Sequence, residues 1–177
     1  MDSQLSLLIP GLRWTDSEPF SVQERAILIQ KFSMRFRKVG ADPAFGNKPI
    51  VEWDGESFYP ELAVARLLRR HGFDAVWIDS YRGKFWEGML QQRTLPDAAR
   101  EVYARILQAN GGKRGGFWDV MAWKESEFVF IELKQNTPEC KDRISGKQRN
   151  WLQAALRAGL NSACFYVCEW GYSAVSG

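Results

Sequence analysis

The pattern of apolar and polar positions is most telling at residues 116–134. Two runs, Gly116-Phe117-Trp118-Asp119-Val120-Met121-Ala122-Trp123 and Phe128-Val129-Phe130-Ile131-Glu132-Leu133-Lys134, are rich in aromatic and β-branched side chains, and four polar residues, Lys124-Glu125-Ser126-Glu127, separate them. This pattern predicts a β-hairpin with a short exposed turn. A turn centred between Glu125 and Ser126 sets Asp119 opposite Glu132, Met121 opposite Phe130 and Trp123 opposite Phe128. The second strand is apolar on both faces, Phe128 and Phe130 on one and Val129, Ile131 and Leu133 on the other, as expected of a strand inside a sheet covered on both sides.

Helical spacing organises the rest. Pro60-Glu61-Leu62-Ala63-Val64-Ala65-Arg66-Leu67-Leu68-Arg69-Arg70-His71-Gly72 begins with proline at a first helical position and stops at glycine, predicting a helix that feeds a strand over residues 73–78. A further helix is expected over residues 96–109 and another across Gln148, Trp151, Leu152 and Ala155, which share one face, before a last strand over residues 162–168. Near the N-terminus, Ser21-Val22-Gln23-Glu24 reads as a capping box and predicts a helix over residues 21–38, with Ile27, Leu28, Phe32 and Phe36 apolar and Lys31, Arg35, Arg37 and Lys38 crowding its C-terminal half. Residues 39–57, punctuated by Gly40, Pro43, Gly46, Pro49 and Gly55, read as a linker with one short strand over residues 50–53. The expected organisation is an N-terminal helical extension and linker, residues 1–57, and a main domain, residues 58–177.

With 177 residues, 45% of them hydrophobic, the chain can bury one sizeable core. A net charge of +3 permits a nucleic-acid partner without arguing for one. Three cysteines form no disulfide framework and point to a reducing compartment. Met1-Asp2-Ser3-Gln4 carries no basic leader and no apolar run is long enough for a membrane span, so a soluble, cytoplasmic protein is expected. The single histidine, His71, excludes histidine-based metal clusters and a Ser-His-Asp triad, and no phosphate-binding loop of the G-x-x-x-x-G-K-[ST] kind is present.

The chemistry gathers on the hairpin. Directly opposed residues have Cβ atoms roughly 4.5 to 5.5 Å apart, and the two-residue period of a strand puts Lys134 on the same face as Glu132. Two acids and a lysine therefore converge. Carboxylates so close raise each other's pKa unless a cation neutralises them, and a hard divalent ion suits oxygen ligands. The alternative is a structural ion pair of Glu132 with Lys134. The face carrying Trp151 and Leu152 should pack on the sheet and point Gln148 toward this group.

Asp119, twelve intervening residues and Glu132-Leu133-Lys134 resemble the PD-(D/E)XK nuclease superfamily, and Gln148-Arg149-Asn150-Trp151-Leu152 with Gly159 resembles its VRR-NUC branch. The one departure is Trp118, where that family usually has a proline that carries no chemistry. The resemblance implies an α/β (α+β) fold, a restriction-endonuclease-like core with a mixed β-sheet flanked by helices. It also implies a metal-dependent nuclease acting on DNA, structure-specific toward branched or flapped forms. An acid on the helix before the first core strand completes the family's metal site, and Glu61 holds that position, which otherwise only favours a helix dipole. The expected ligands of Mg²⁺ or Mn²⁺ are Glu61, Asp119, Glu132 and the carbonyl of Leu133, with Lys134 and Gln148 completing the catalytic group.

Cations flank this group on both sides: Lys113 and Arg114 in a glycine-rich approach to the hairpin, and Lys141, Arg143, Lys147 and Arg149 after Lys134, where a phosphate backbone would pass. Ser80-Tyr81-Arg82-Gly83-Lys84-Phe85-Trp86 reads either as a base-stacking loop or as one that folds its aromatics onto the core. Stand-alone members of the family tend to dimerise, so a homodimer is one expectation and a partner protein supplying specificity another. A nuclease-like fold that binds nucleic acid or protein without cutting is the rival function.

Overall fold

The structure, a computed structural model, describes Leu5, Ile9 and residues 12–22 and 25–173. A mixed sheet carries β1 (Arg13–Val22), β2 (Arg25–Asp42), β3 (Lys48–Trp53), β4 (Glu56–Phe58), β5 (Asp74–Asp79), β6 (Lys84–Gly88), β7 (Gln91–Gln92), β8 (Val120–Lys124), β9 (Glu127–Gln135) and β10 (Phe165–Tyr172). Its spatial order is β4-β3-β2-β10-β9-β8-β5-β6-β7, with β1 also paired to β2. The helices are α1 (Pro60–Arg70), α2 (Asp97–Ala109) and α3 (Gly146–Arg157). Together they form an α+β fold.

The expected hairpin is β8 and β9, and its register is the predicted one: Met121 pairs with Phe130 and Trp123 with Phe128, around a turn in which Glu125 takes φ 55°. β9 lies between β8, antiparallel, and β10, parallel. Both faces of β9 are covered. Val129, Ile131 and Leu133 join the core under α1 with Leu62, Ala63, Val64 and Trp77, while Phe130 joins the core under α2 and α3 with Ala99, Ile106, Trp151 and Leu152. The last strand starts at Phe165, after a 3₁₀ turn over Ser162–Cys164 that the side chain of Asn161 caps. Cys140, Cys164 and Cys168 are free thiols.

The helix expected over residues 21–38 is instead the strand pair β1 and β2. Gln23 and Glu24, half of the supposed capping box, lie outside the described residues. The physical reason is visible in Lys31-Phe32-Ser33-Met34-Arg35-Phe36-Arg37, which alternates polar and apolar with a period of two. Phe32, Met34 and Phe36 are buried, and the intervening residues are half-buried or exposed. Parallel pairing of Gln30 through Phe36 with Tyr166 through Tyr172 on β10 fixes that register. β2 is long enough to carry β1 along its first half and β3 along its second, so β3, read from sequence as residues 50–53, enters the sheet at Lys48.

The glycine-rich approach to β8 is packed against α3. Gly116 has φ 93°, and a Cβ there would run into the carbonyl of Lys147 and the amide of Gln148. A side chain at this point therefore combines an unfavourable backbone region with a backbone clash. We expect Gly116→Ala to destabilise the fold by about 2 to 4 kcal/mol. Gly40→Ala, which meets open space and no positive φ, should change stability by no more than about 1 kcal/mol. Urea unfolding of the two variants checks the contrast.

Candidate active site

The site forms at the end of the hairpin away from its turn. Asp119 immediately precedes β8, and its Oδ2 accepts a hydrogen bond from the Leu133 amide at 2.8 Å. This bond ties Asp119 to the backbone of β9 beside Glu132. Glu132 is 1% exposed and Lys134 6% exposed. The Lys134 Nζ lies 3.1 Å from Glu132 Oε1, 2.9 Å from Gln148 Oε1 and 3.4 Å from Asp142 Oδ2.

Gln148 reaches this group because of how α3 begins. Ser145 is the N-cap, and its hydroxyl accepts from the Gln148 amide while Gln148 Oε1 accepts from the Ser145 amide, a capping box in which glutamine takes the third helical position. The same Oε1 also accepts from Lys134, and the Gln148 side-chain amide donates to Glu132 Oε1. One side chain thus terminates a helix and bridges the acid and the lysine. Trp118, the residue that replaces proline, packs over this helix start: it is fully buried, donates its indole N–H to the Gln148 carbonyl at 3.3 Å and stands edge-on to Phe165 at 5.4 Å.

The electrostatics are those of a buried acid, Glu132, beside a half-buried one, Asp119. Burial and, after it, the charge of Glu61 push Asp119 up to about 6, against opposing pulls from Lys48, the Leu133 amide and Lys134. Burial and then Asp119 push Glu132 well above the ordinary carboxylate range, with Lys134 opposing. For Lys134, burial alone would lower the pKa, but Glu132, Asp142 and Asp119 more than offset it and the ammonium is held charged. Glu132 Oε2 is buried with no hydrogen-bond donor among the described residues. A proton shared with Asp119 or a cation between the two would satisfy it.

Glu61, in the first turn of α1, is also buried, and its Oε2 likewise lacks a donor. Its Oε1 accepts from Lys48 Nζ at 2.7 Å. No ready-assembled group of three or more histidine, cysteine or acidic ligands occurs among the described residues. Asp119 and Glu132 form the close acidic pair, and Glu61 is engaged by a lysine. The donor set still suits a hard divalent ion: all oxygens, two of them buried without a donor.

The expected cations divide. Lys141, Arg143 and Arg149 line a cleft of about 340 Å³ that also holds Lys134. Arg149 there is paired with Glu18 at 2.8 Å and Lys141 donates to Asn136 Oδ1 at 2.7 Å. Lys147 lies beside Gly115, Arg114 lies against Gly83, and Lys113 is exposed. In the 80–88 loop, Trp86 is buried and stacked on Trp77, while Tyr81 is 93% exposed. Most of that loop's aromatics therefore belong to the core. Sequence reasoning missed Lys48 and Asp142. Asp142 was hidden inside a cationic run, and Lys48 was one charge in a stretch read as a linker, just before the strand expected over residues 50–53.

A β-hairpin presenting Asp119 opposite Glu132-Leu133-Lys134, in a mixed sheet with α1 on one face and α3 closing the other, is the core of a PD-(D/E)XK-like nuclease domain. The family model described as the VRR-NUC domain matches residues 64–169, more than half of the chain, and the protein belongs to that family. It therefore carries a nuclease-type domain. No curated protein matches the chain, and no helix among the described residues is long and apolar enough to cross a membrane.

The paired acids set a pH dependence. Their folded-state pKa values lie above the unfolded ones, so the proton stabilises the fold at acid pH. That contribution is lost as pH rises from about 4 through Asp119's value of about 6. Asp119→Asn, measured with chelator present, should raise the melting temperature at pH 7 by the equivalent of roughly 1 to 3 kcal/mol and flatten the profile between pH values of about 4 and 7. A melting temperature unchanged at pH 7 would show that the pair is not strained by its charge.

Proposed function

We propose that this protein is a divalent-metal-dependent deoxyribonuclease hydrolysing phosphodiester bonds, directed at branched or flapped DNA. The observation that carries this reading is the facing pair of half-buried Asp119 and buried Glu132, with Lys134 at 3.1 Å from Glu132, inside a VRR-NUC domain. Burying two like charges is costly in a protein that has no use for a cation there.

Asp119, Glu132, the Leu133 carbonyl and Glu61 would hold Mg²⁺ or Mn²⁺. Such an ion, when bound, lowers the pKa of its water and neutralises charge on the phosphate and the leaving oxygen. Lys134 is already charged and aimed at the carboxylate pair, so its ammonium is preorganised to orient the attacking water and stabilise charge on phosphorus. Gln148 fixes the relative positions of Glu132 and Lys134 through one bond to each. Lys141, Arg143 and Arg149 line the cleft that opens beside Lys134, and with Lys113, Arg114 and Lys147 they supply the positive charge a phosphate backbone needs. The protein acts where DNA is, in the cytoplasm, as a homodimer or with a partner that supplies specificity.

The test is cleavage of a panel of flapped, branched, linear duplex and single-stranded DNAs with and without Mg²⁺. Asp119→Asn and Glu132→Gln should abolish cleavage while remaining folded. Lys134→Ala should lose about 10² to 10³ in single-turnover rate, and Lys134→Arg should rescue poorly because a planar fork does not replace a compact ammonium. If Glu132 and Lys134 formed only a structural ion pair, Lys134→Ala would unfold early yet cleave normally per folded molecule, and Lys134→Arg would substitute well. Neutralising Lys141, Arg143 and Lys147 together should flatten the log-log salt dependence of duplex binding by up to about 0.9 per lost phosphate contact. An unchanged slope would assign that segment to solvent.

A further inference from the structure

We propose that Lys48 is the resident counter-cation of the active site: its ammonium compensates Glu61 and Asp119 in the metal-free protein, competes with a divalent ion for them, and thereby sets the metal affinity. The inference rests on the metal-dependent reading above and assigns a role to a residue outside the stretch, 64–169, that matches the nuclease family.

The chain delivers Lys48 by a tight reversal. β2 ends at Asp42, a 3₁₀ turn spans Pro43–Phe45, Gly46 and Asn47 take positive φ values of 67° and 59°, and Lys48 re-enters the sheet directly opposite Asp42. From there its Nζ donates to Glu61 Oε1 at 2.7 Å. The ammonium is ion-paired with Glu61, and Asp119 and Asp79 are the other acids whose charge bears on it. Asp79 is already matched by Arg82, through the Arg82 amide and guanidinium at 3.0 Å each, and by the Trp86 indole. The charge that needs Lys48 is therefore that of Glu61 and Asp119.

Compensation by the ammonium is incomplete. Glu61 Oε2 stays buried without a donor among the described residues although Oε1 is satisfied, and an unpaired buried acceptor is costly. A divalent ion offers two charges and several coordination positions, so it can satisfy what one ammonium leaves open, at the expense of repelling that ammonium. Lys48 has somewhere to go. Its Nζ lies 4.8 Å from the centre of the Trp77 ring and 6.0 Å from that of Tyr59, so a wall of ring faces can hold the cation once Glu61 turns to the metal.

The experiment is calorimetric titration of the full chain with Mn²⁺, without DNA, on the wild type, Lys48→Met, Lys48→Gln and Lys48→Arg, together with metal-free melting temperatures. Lys48→Met should bind Mn²⁺ at least about tenfold more tightly, a change of ~1.4 kcal/mol, and melt lower than the wild type in chelator. Lys48→Gln keeps a donor for Glu61 while removing the charge, and should show the same tightening even if the methionine variant folds poorly. Lys48→Arg should bind as the wild type does. If the wild type binds Mn²⁺ and the two neutral variants bind it equally or more weakly, the counter-cation role is overturned while the metal site stands. If none of the four binds Mn²⁺, the metal-dependent reading itself fails and takes the inference with it.

Discussion

Two carboxylates, Asp119 and Glu132, face each other at the end of a hairpin whose neighbours are apolar on both sides of the sheet, and every nearby polar group is arranged to make that tolerable. Glu132 is almost completely buried, where an isolated carboxylate would take up a proton rather than stay ionised. The structure answers with Lys134 on the same strand, Gln148 from α3, the Leu133 amide on Asp119 and, farther out, Lys48 against Glu61. These bonds leave an oxygen on each of Glu132 and Glu61 without a donor. Strain of this kind is typical of a site kept for chemistry rather than for stability.

The scaffold places these groups by ordinary packing rules. β9 has no solvent face, so its polar residues can exist only near its end, where α3 begins and its N-terminal amides need acceptors. Gln148 serves the helix cap and the Glu132–Lys134 pair at once, because the third position of a capping box already points back over the N-cap. Trp118 fills the space at the start of β8 where the family usually places proline. Its bulk, packed among Phe20, Trp151 and Phe165, fixes α3 against the hairpin. Gly116 lets the chain pass close under Lys147. The geometry at Asp119 is thus held from both sides by packing rather than by a rigid ring.

The N-terminal strands change the character of the domain. β2 runs parallel to β10 and extends the sheet beyond the family-matched stretch, and it brings Lys31 to the cleft beside Lys134 and β3 to the helix that carries Glu61. Phe45, Tyr59, Trp77 and Trp86 form a continuous aromatic cluster behind Lys48. Part of one wall of the site, with Lys31, Phe45, Lys48 and Tyr59, is therefore built from residues outside the family-matched stretch.

Local pattern was enough where neighbours in sequence decide the structure. The β8–β9 register followed from four polar residues between two apolar runs, α1 from its proline and its stop, and the convergence of Asp119, Glu132 and Lys134 from the two-residue period of a strand. Even so, one local signal misled: the apparent capping box at Ser21 suggested a helix, while the alternation from Lys31 to Arg37 was satisfied by β10, a strand more than 120 residues downstream. Strand identity depends on a partner, and partners distant in the chain leave no mark on local spacing. For the same reason only the tertiary structure brought Lys48 to Glu61 and Asp142 to Lys134. Those meetings are made by sheet pairing and by the path of a loop, whereas the acidic pair itself was written into a single hairpin.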